Sequence, residues 1–289
     1  MSGGRIRRPQ AIVHFAVPLS DEDFLMRQTF LGGALTLVAL AACAKPAEKP
    51  AKDTTTAAAP APMPPPKPEP MAFVTVIYKN PKSPAAFEKY YKKNHLPLVG
   101  AKQAEVGFVA AELTKFDKKL DGKKAPYYRQ AVLWFKSMAD LEKGIATPGF
   151  KAIGDDLPKF ATGGLIALIG EETGDHQDLL TGDTTAFVTV IYNNPKDPAA
   201  FESYYSTSHL PLVGAGAKEI GFTRAELTKF VKNLDGSPAA LYRQAKLYFP
   251  TAAALKTGTA TAAFKAVGDD LPKFSTGGFS AIVGHLTSN

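Results

Sequence analysis

His95 and His209 are the residues best suited to chemistry in this chain. Each lies in the same run, Phe-Glu-x-Tyr-Tyr-x3-His-Leu-Pro-Leu-Val, at Phe87–Val99 and again at Phe201–Val213. Histidine titrates near neutrality, so it can take or give a proton at pH 7. Phe87, Tyr91 and His95 recur at helical spacing and share one face, as do Phe201, Tyr205 and His209. A phenol from Tyr91 or Tyr205, or from Tyr78 or Tyr192 at the end of the preceding strand, can orient a hydroxyl or carbonyl. Such aromatic walls suit a small aromatic or enol-like molecule. The plain alternative is a core histidine bonded to nearby backbone. Arg129 and Arg243 sit mid-strand in Tyr-Arg-Gln, where a guanidinium needs a carboxylate or a wet cavity. Either they clamp a ligand anion, or they pair with Glu112 or Glu226 on the adjacent strand; the ion pair is the simpler expectation. Asp155-Asp156 and Asp269-Asp270, between glycine and Leu-Pro, read as turn or cap residues.

Several chemistries lack their residues. The five histidines are scattered and carry no metal-ligand spacing. One cysteine allows neither an internal disulfide nor an all-cysteine metal site. No G-x-G-x-x-G follows a strand, and the Thr162-Gly163-Gly164 turn has no phosphate-loop lysine. No cofactor is therefore expected; haem held by a single axial histidine is the alternative. A net charge of +7 without a nucleic-acid-reading motif points to solvated lysines and no nucleic-acid partner.

The elements that must position these residues occur twice. Ala72–Glu171 and Ala186–His285 align at a constant offset of 114 residues without a gap, and 64 of the 100 positions are identical. Ala72–Tyr78 is a β-branched and aromatic strand. Asn80-Pro81 breaks it, and Ser83-Pro84 caps a helix, with Asp197-Pro198 preserving the chemistry in the second copy. Pro97 is expected to disturb that helix beyond Asn94. Strands follow at Gly107–Phe116 and Tyr127–Phe135 around an Asp121-Gly122 turn, then a helix over Met138–Ile153, and a last strand at Leu165–Gly170. The order β-α-β-β-α-β is ferredoxin-like, so the fold class is α+β. Its strands look apolar on both sides while helices cover only one face. The two sheets are thus expected to pack face to face as an internal pseudo-dimer in a monomeric chain.

The Tyr-Tyr-x3-His-x-Pro-Leu core of both runs, after a strand ending in tyrosine, resembles the EthD family. The resemblance spans both repeats. It implies the dimeric α+β barrel fold, normally built from two chains, with a ligand cleft between sheet and helices. It makes His95 and His209 the candidate catalytic residues, and Tyr78, Tyr91, Arg129, Tyr192, Tyr205 and Arg243 the candidate ligand-binding ones. It implies a small-molecule ligand and, if catalytic, a cofactor-independent oxidoreductase or acid–base enzyme. The wider superfamily also contains haem-dependent enzymes and proteins without catalysis. The rival expectation is accordingly a non-catalytic binding or interaction protein of the cell envelope.

Ahead of the repeats, Met26-Arg27, the apolar run Phe30–Leu40 and the sequence Leu40-Ala41-Ala42-Cys43 resemble a bacterial lipoprotein signal with acylation at Cys43. The apolar run is short for a membrane span. The expected organisation is a leader at 1–42, a Pro/Ala-rich tether at 43–71, repeats at 72–171 and 186–289, and a linker at 172–185. Multiple acyl chains would hold the protein on the envelope membrane, facing the periplasm or the exterior.

Overall fold

The computed structural model describes residues 71–173 and 186–287. The leader, Cys43, the rest of the tether up to Pro70 and most of the linker lie outside the described residues.

The first repeat runs β1 (Ala72–Lys79), α1 (Pro84–Tyr90), α2 (Leu96–Val106), β2 (Ala110–Lys119), β3 (Tyr127–Phe135), α3 (Met138–Ile145), α4 (Pro148–Asp156) and β4 (Leu165–Glu172). The second runs β5 (Ala186–Tyr192), α5 (Pro198–Tyr204), α6 (Leu210–Ile220), β6 (Arg224–Asn233), β7 (Arg243–Phe249), α7 (Ala252–Gly258), α8 (Ala262–Asp270) and β8 (Phe279–Leu286). Ser83 and Asp197 cap α1 and α5, accepting from the backbone N–H of Ala86 and Ala200. The disturbance expected near Pro97 takes the form of a π turn rather than a break. A π turn over Tyr91–His95 joins α1 to α2, and Pro97 falls in the first turn of α2. The single helix expected over Met138–Ile153 is two, because Thr147 caps a new helix beginning at Pro148.

All eight strands form one closed barrel in the order β1-β3-β2-β8-β5-β7-β6-β4, with antiparallel neighbours. The halves are therefore more than two sheets laid face to face. Their edge strands hydrogen-bond, β2 to β8 and β4 to β6, which removes every open edge. Alternation sorts the side chains. Phe73, Ile77, Trp134, Phe187, Ile191 and Tyr248 meet inside the barrel, while Val74, Val76, Tyr78 and Leu133 face the helices. Phe73 and Phe187 lie across Gly170 and Gly284. A Cβ at either glycine would come within 2.6 Å of a ring carbon, so only glycine fits there.

The barrel interior is not the uniformly apolar surface expected. Gln130 and Gln244 exchange hydrogen bonds of 2.8 and 3.0 Å between the halves. Deeper in, Lys246 is fully buried and contacts Glu112 at 2.6 Å and Glu226 at 3.3 Å. The Tyr248 hydroxyl lies 2.7 and 2.8 Å from the two carboxylates and can donate to one of them at a time, and the Arg224 guanidinium lies over the Tyr248 ring. The first repeat has Ala110, Val132 and Trp134 at the positions of Arg224, Lys246 and Tyr248. Two glutamates common to both halves are thus neutralised by cations from one half alone.

Candidate functional site

Each repeat forms a cavity between the outer face of its sheet and its helices. In the first, β1 contributes Val74, Val76 and Tyr78, and the π turn contributes Tyr91 and His95. In the second, Val188, Val190, Tyr192, Tyr205 and His209 take the same places. The π turn widens the helix by one residue and carries both Tyr91 and His95 as buried side chains. Each cavity also takes one residue from the opposite half. Leu234, on the β6–β7 turn, closes the first, and Leu120, on the β2–β3 turn, closes the second. Leu234 N–H donates to Ala167 and Leu120 N–H to Ala281, pinning each tip on the other repeat. Neither repeat can build its cavity alone.

The cavities differ in size: about 60 Å³ in the first repeat and about 360 Å³ in the second. The second falls in the range of small-molecule sites, whereas the first has room for little more than water.

His209 is buried, and its Nδ1 lies 2.8 Å from Asp270 Oδ2. His95 and Asp156 repeat the contact at 2.9 Å. Burial would raise the aspartates, but hydrogen bonds from the histidine, the tyrosine (Tyr90 or Tyr204) and the lysine (Lys159 or Lys273) outweigh it and hold both carboxyls below their usual range. An ionised carboxylate can only accept, so Nδ1 carries the proton and Nε2 the lone pair. Burial pushes both histidines below their usual pKa; the aspartate offsets this only in part. They are neutral at pH 7. Among the described residues, no protein group hydrogen-bonds Nε2 of either ring.

The tyrosines sit in the same walls. Tyr91 and Tyr205 stack on their histidines at 5.6 Å, and Phe160 and Phe274 pack against both rings, 4.7 Å from the imidazole centres. Burial holds the phenols of Tyr78, Tyr91, Tyr192 and Tyr205 protonated well beyond neutrality. The Tyr91 hydroxyl is buried with no hydrogen-bond partner.

The arginines are placed otherwise than expected. Arg129 does not pair with Glu112. Its Nε and Nη2 fork onto Glu88 of α1 at 3.0 and 2.7 Å, and Arg243 does the same to Glu202 of α5. Glu112 and Glu226 face the barrel interior, on the opposite side of their strand. Tyr128 and Tyr242 also donate to Glu88 and Glu202. Burial would raise Glu202, but hydrogen bonds from Arg243 and Tyr242 bring it down to about 2. The remaining guanidinium nitrogen reaches the other half, Arg129 Nη1 to Thr287 and Arg243 Nη1 to Thr173. Arg129 and Arg243 face Tyr91 and Tyr205 at 5.2 Å from the ring centres, and neither lines either of these two cavities. Their guanidinia are committed to joining helix, sheet and partner repeat.

Asp156 and Asp270, expected as turn or cap residues, are the buried partners of the histidines. The signal was present: both repeats keep the aspartate 61 residues after the histidine. Leu120 and Leu234 had no signal, since a hydrophobic residue at a hairpin tip is uninformative until the tip's neighbour is known. Among the described residues, no group of three or more His, Cys, Asp or Glu side chains is placed to hold a metal ion.

The chain resembles known proteins in keeping with this architecture. A curated relative, an uncharacterised 11.0 kDa protein from the thcB-thcC intergenic region of Rhodococcus erythropolis, is 34% identical over 95 residues, covering 33% of this chain and 88% of the relative. A crystal structure of an EthD-family protein from Bacillus halodurans shares 24% identity over 34% of this chain and 95% of its own, with a TM-score of 0.32. An anthrone oxidase-like protein aligns over 76% of this chain and 92% of its own, at 16% identity and a TM-score of 0.52, a likeness of fold. The EthD domain profile matches residues 79–164 and 193–278, together more than half the chain. The tandem pattern of strands and helices, the closed barrel and both domain matches agree, and the chain belongs to the EthD family.

Proposed function

We propose that the protein binds a small, largely apolar molecule and acts on it by cofactor-independent acid–base chemistry, with His209 as the base. The observation that carries this reading is the neutral His209–Asp270 pair in the wall of a 360 Å³ apolar cavity. Nδ1–H is held by the carboxylate, so Nε2 is the free basic atom, and it can take a proton from an activated C–H or O–H. Tyr192 and Tyr205 are protonated phenols in the same wall, suited to donate to the oxygen on which the negative charge develops. In an oxidoreductase version, dioxygen is the co-reactant. An activated methylene loses both hydrogens, one oxygen atom becomes the carbonyl oxygen, and the other leaves in water. Arg129 and Arg243 act as positioning residues that hold Tyr91 and Tyr205.

Native mass spectrometry of the protein from its own host should reveal the co-purifying molecule. Replacing His209 with glutamine should then leave that molecule bound and lower its turnover by about 10²-fold to 10⁴-fold. Unchanged turnover would remove the role.

The near-closed cavity at His95 supports a second reading, in which at least the first repeat has no catalytic role and the chain serves as a binding protein of the envelope. Tethering through acylated Cys43 belongs to both readings. Wild-type protein should sediment with membranes and be released by detergent, while Cys43→Ser should remain in the supernatant. Sedimentation of both alike would exclude the anchor.

A further inference from the structure

Of all positions lining either cavity, only two differ in residue type between the repeats: Gln103 against Ala217, and Ile153 against Val267. Both differences remove volume from the second repeat. The Gln103 side chain is buried and donates to Phe108 O at 3.2 Å, spanning the base of α2. Ala217 leaves that space open and itself lines the second cavity, together with Gly214 and Phe222. Their counterparts Gly100 and Phe108 do not line the first. The surrounding burial follows the same division. Val99 and Phe108 are buried, whereas Val213 and Phe222 are half-buried. Helix α6 also carries Gly214 and Gly216 where α2 has Gly100 and Lys102, so the lid over the larger cavity is the weaker helix.

We propose that the repeats have divided their roles by cavity size: the second cavity is the ligand site, and Gln103 is the plug that closes the first. This rests on reading the cavities as ligand sites, as above. The ligand class follows from the walls. No Lys, Arg, Asp or Glu lines the second cavity, its histidine is neutral and its phenols are protonated. A charged ligand would lose its hydration with nothing to replace it. The site therefore takes a neutral molecule of roughly two or three rings, with a hydroxyl or carbonyl toward His209.

The test is fluorescence titration of the full chain with N-phenyl-1-naphthylamine, a neutral two-ring-system probe. Wild type should bind one probe per chain. Ala217→Gln with Val267→Ile transplants the first repeat's lining into the second and should weaken binding by about tenfold or more. The substituted glutamine can make the bond to Phe222 O that Gln103 makes to Phe108 O, so the variant has a folded precedent in the same molecule. Gln103→Ala with Ile153→Val should add a second site. Two probes or none on wild type, or stoichiometry indifferent to both exchanges, would overturn the proposal. A stoichiometry of one that persists in His209→Gln, without any effect on turnover, would instead sink the catalytic reading and leave the division of cavities standing.

Discussion

Lys246→Met should lower the stability of the protein by about 3–5 kcal/mol at neutral pH, the usual cost of stranding a buried charge. The ammonium is fully buried between Glu112 and Glu226. Burial raises both carboxyls and depresses the ammonium. The charges of Lys246 and Arg224 bring Glu112 below its usual pKa, while Glu226, also facing Glu112, stays above. The two carboxylates in return hold Lys246 above its usual value. Without Lys246, the carboxylates share one tyrosine hydroxyl and one arginine, and at least one must take up a proton to remain folded. The sign of the pH dependence follows. A carboxyl whose folded pKa is raised contributes stability below its unfolded value and loses it as pH rises. The variant's deficit should therefore be largest at pH 7 and shrink toward pH 4, as read from urea midpoints across that range. Adding Glu226→Gln should recover part of the loss at pH 7. A variant as stable as wild type at pH 7, or a deficit that does not change with pH, would show that the buried charges are not coupled in this way.

Asp270→Asn should cost about 10²-fold to 10⁴-fold in turnover of the bound molecule and should shift the pH profile. An amide can present its nitrogen to Nδ1, and then the proton moves to Nε2 and the base is lost. The direction of the shift distinguishes this from simple misfolding. Burial lowers the His209 pKa, and Asp270 raises it in part. Removing the carboxylate deletes only the raising contribution, so the acid limb of the profile should move to lower pH. The histidine's folded pKa is already depressed. Its contribution to stability is present above its unfolded value near 6.5 and is lost as pH falls through the folded value. Asp270→Asn should extend that loss to lower pH. An acid limb that moves upward, or an activity loss with no shift, would contradict the assignment. Asp156→Asn in the first repeat is expected to change turnover little, because its cavity has no room for the ligand.

A further pH effect arises at the helix–sheet junction. Glu202 is held at about 2 by Arg243 and Tyr242 against the opposing effect of burial. A depressed carboxyl stabilises above its unfolded pKa and loses that stabilisation as pH falls through the folded one. Wild type should thus weaken between about pH 4.5 and pH 2, the interval between the two values. Glu202→Gln should flatten that part of the stability curve; a curve unchanged by the substitution would show that the fork contributes nothing to acid sensitivity.

Much of the architecture was written in local patterns. The β-branched and aromatic run in Ala72–Tyr78, the caps at Ser83 and Asp197 and the turn glycines depend on neighbours in the chain, and they mark strands, helix starts and hairpins without reference to the fold. The gapless repeat implied two copies of one unit. Pro97 disturbs the helix less than expected because the bias against α geometry before proline is a preference and not a bar, and Leu96 keeps that geometry. Here a π turn places the proline where a helix begins. The histidine and its stacked tyrosine shared a face by spacing alone.

What the linear order could not supply were partners brought together from distant elements. Glu88 rather than Glu112 receives Arg129, because side chains alternate across a strand and Glu112 points into the barrel. Asp156 reaches His95 only because α4 packs beside α2. Leu120 and Leu234 became wall residues when the hairpin tips crossed to the opposite repeat. The difference in cavity size came from two side chains whose effect depends on which direction they fill. The sequence by itself determined the elements, the duplication and the faces of the reactive residues, since those follow from period and spacing. Tertiary structure decided which charges meet, which nitrogen of histidine is free and which cavity is open, since those depend on contacts between residues far apart in the chain.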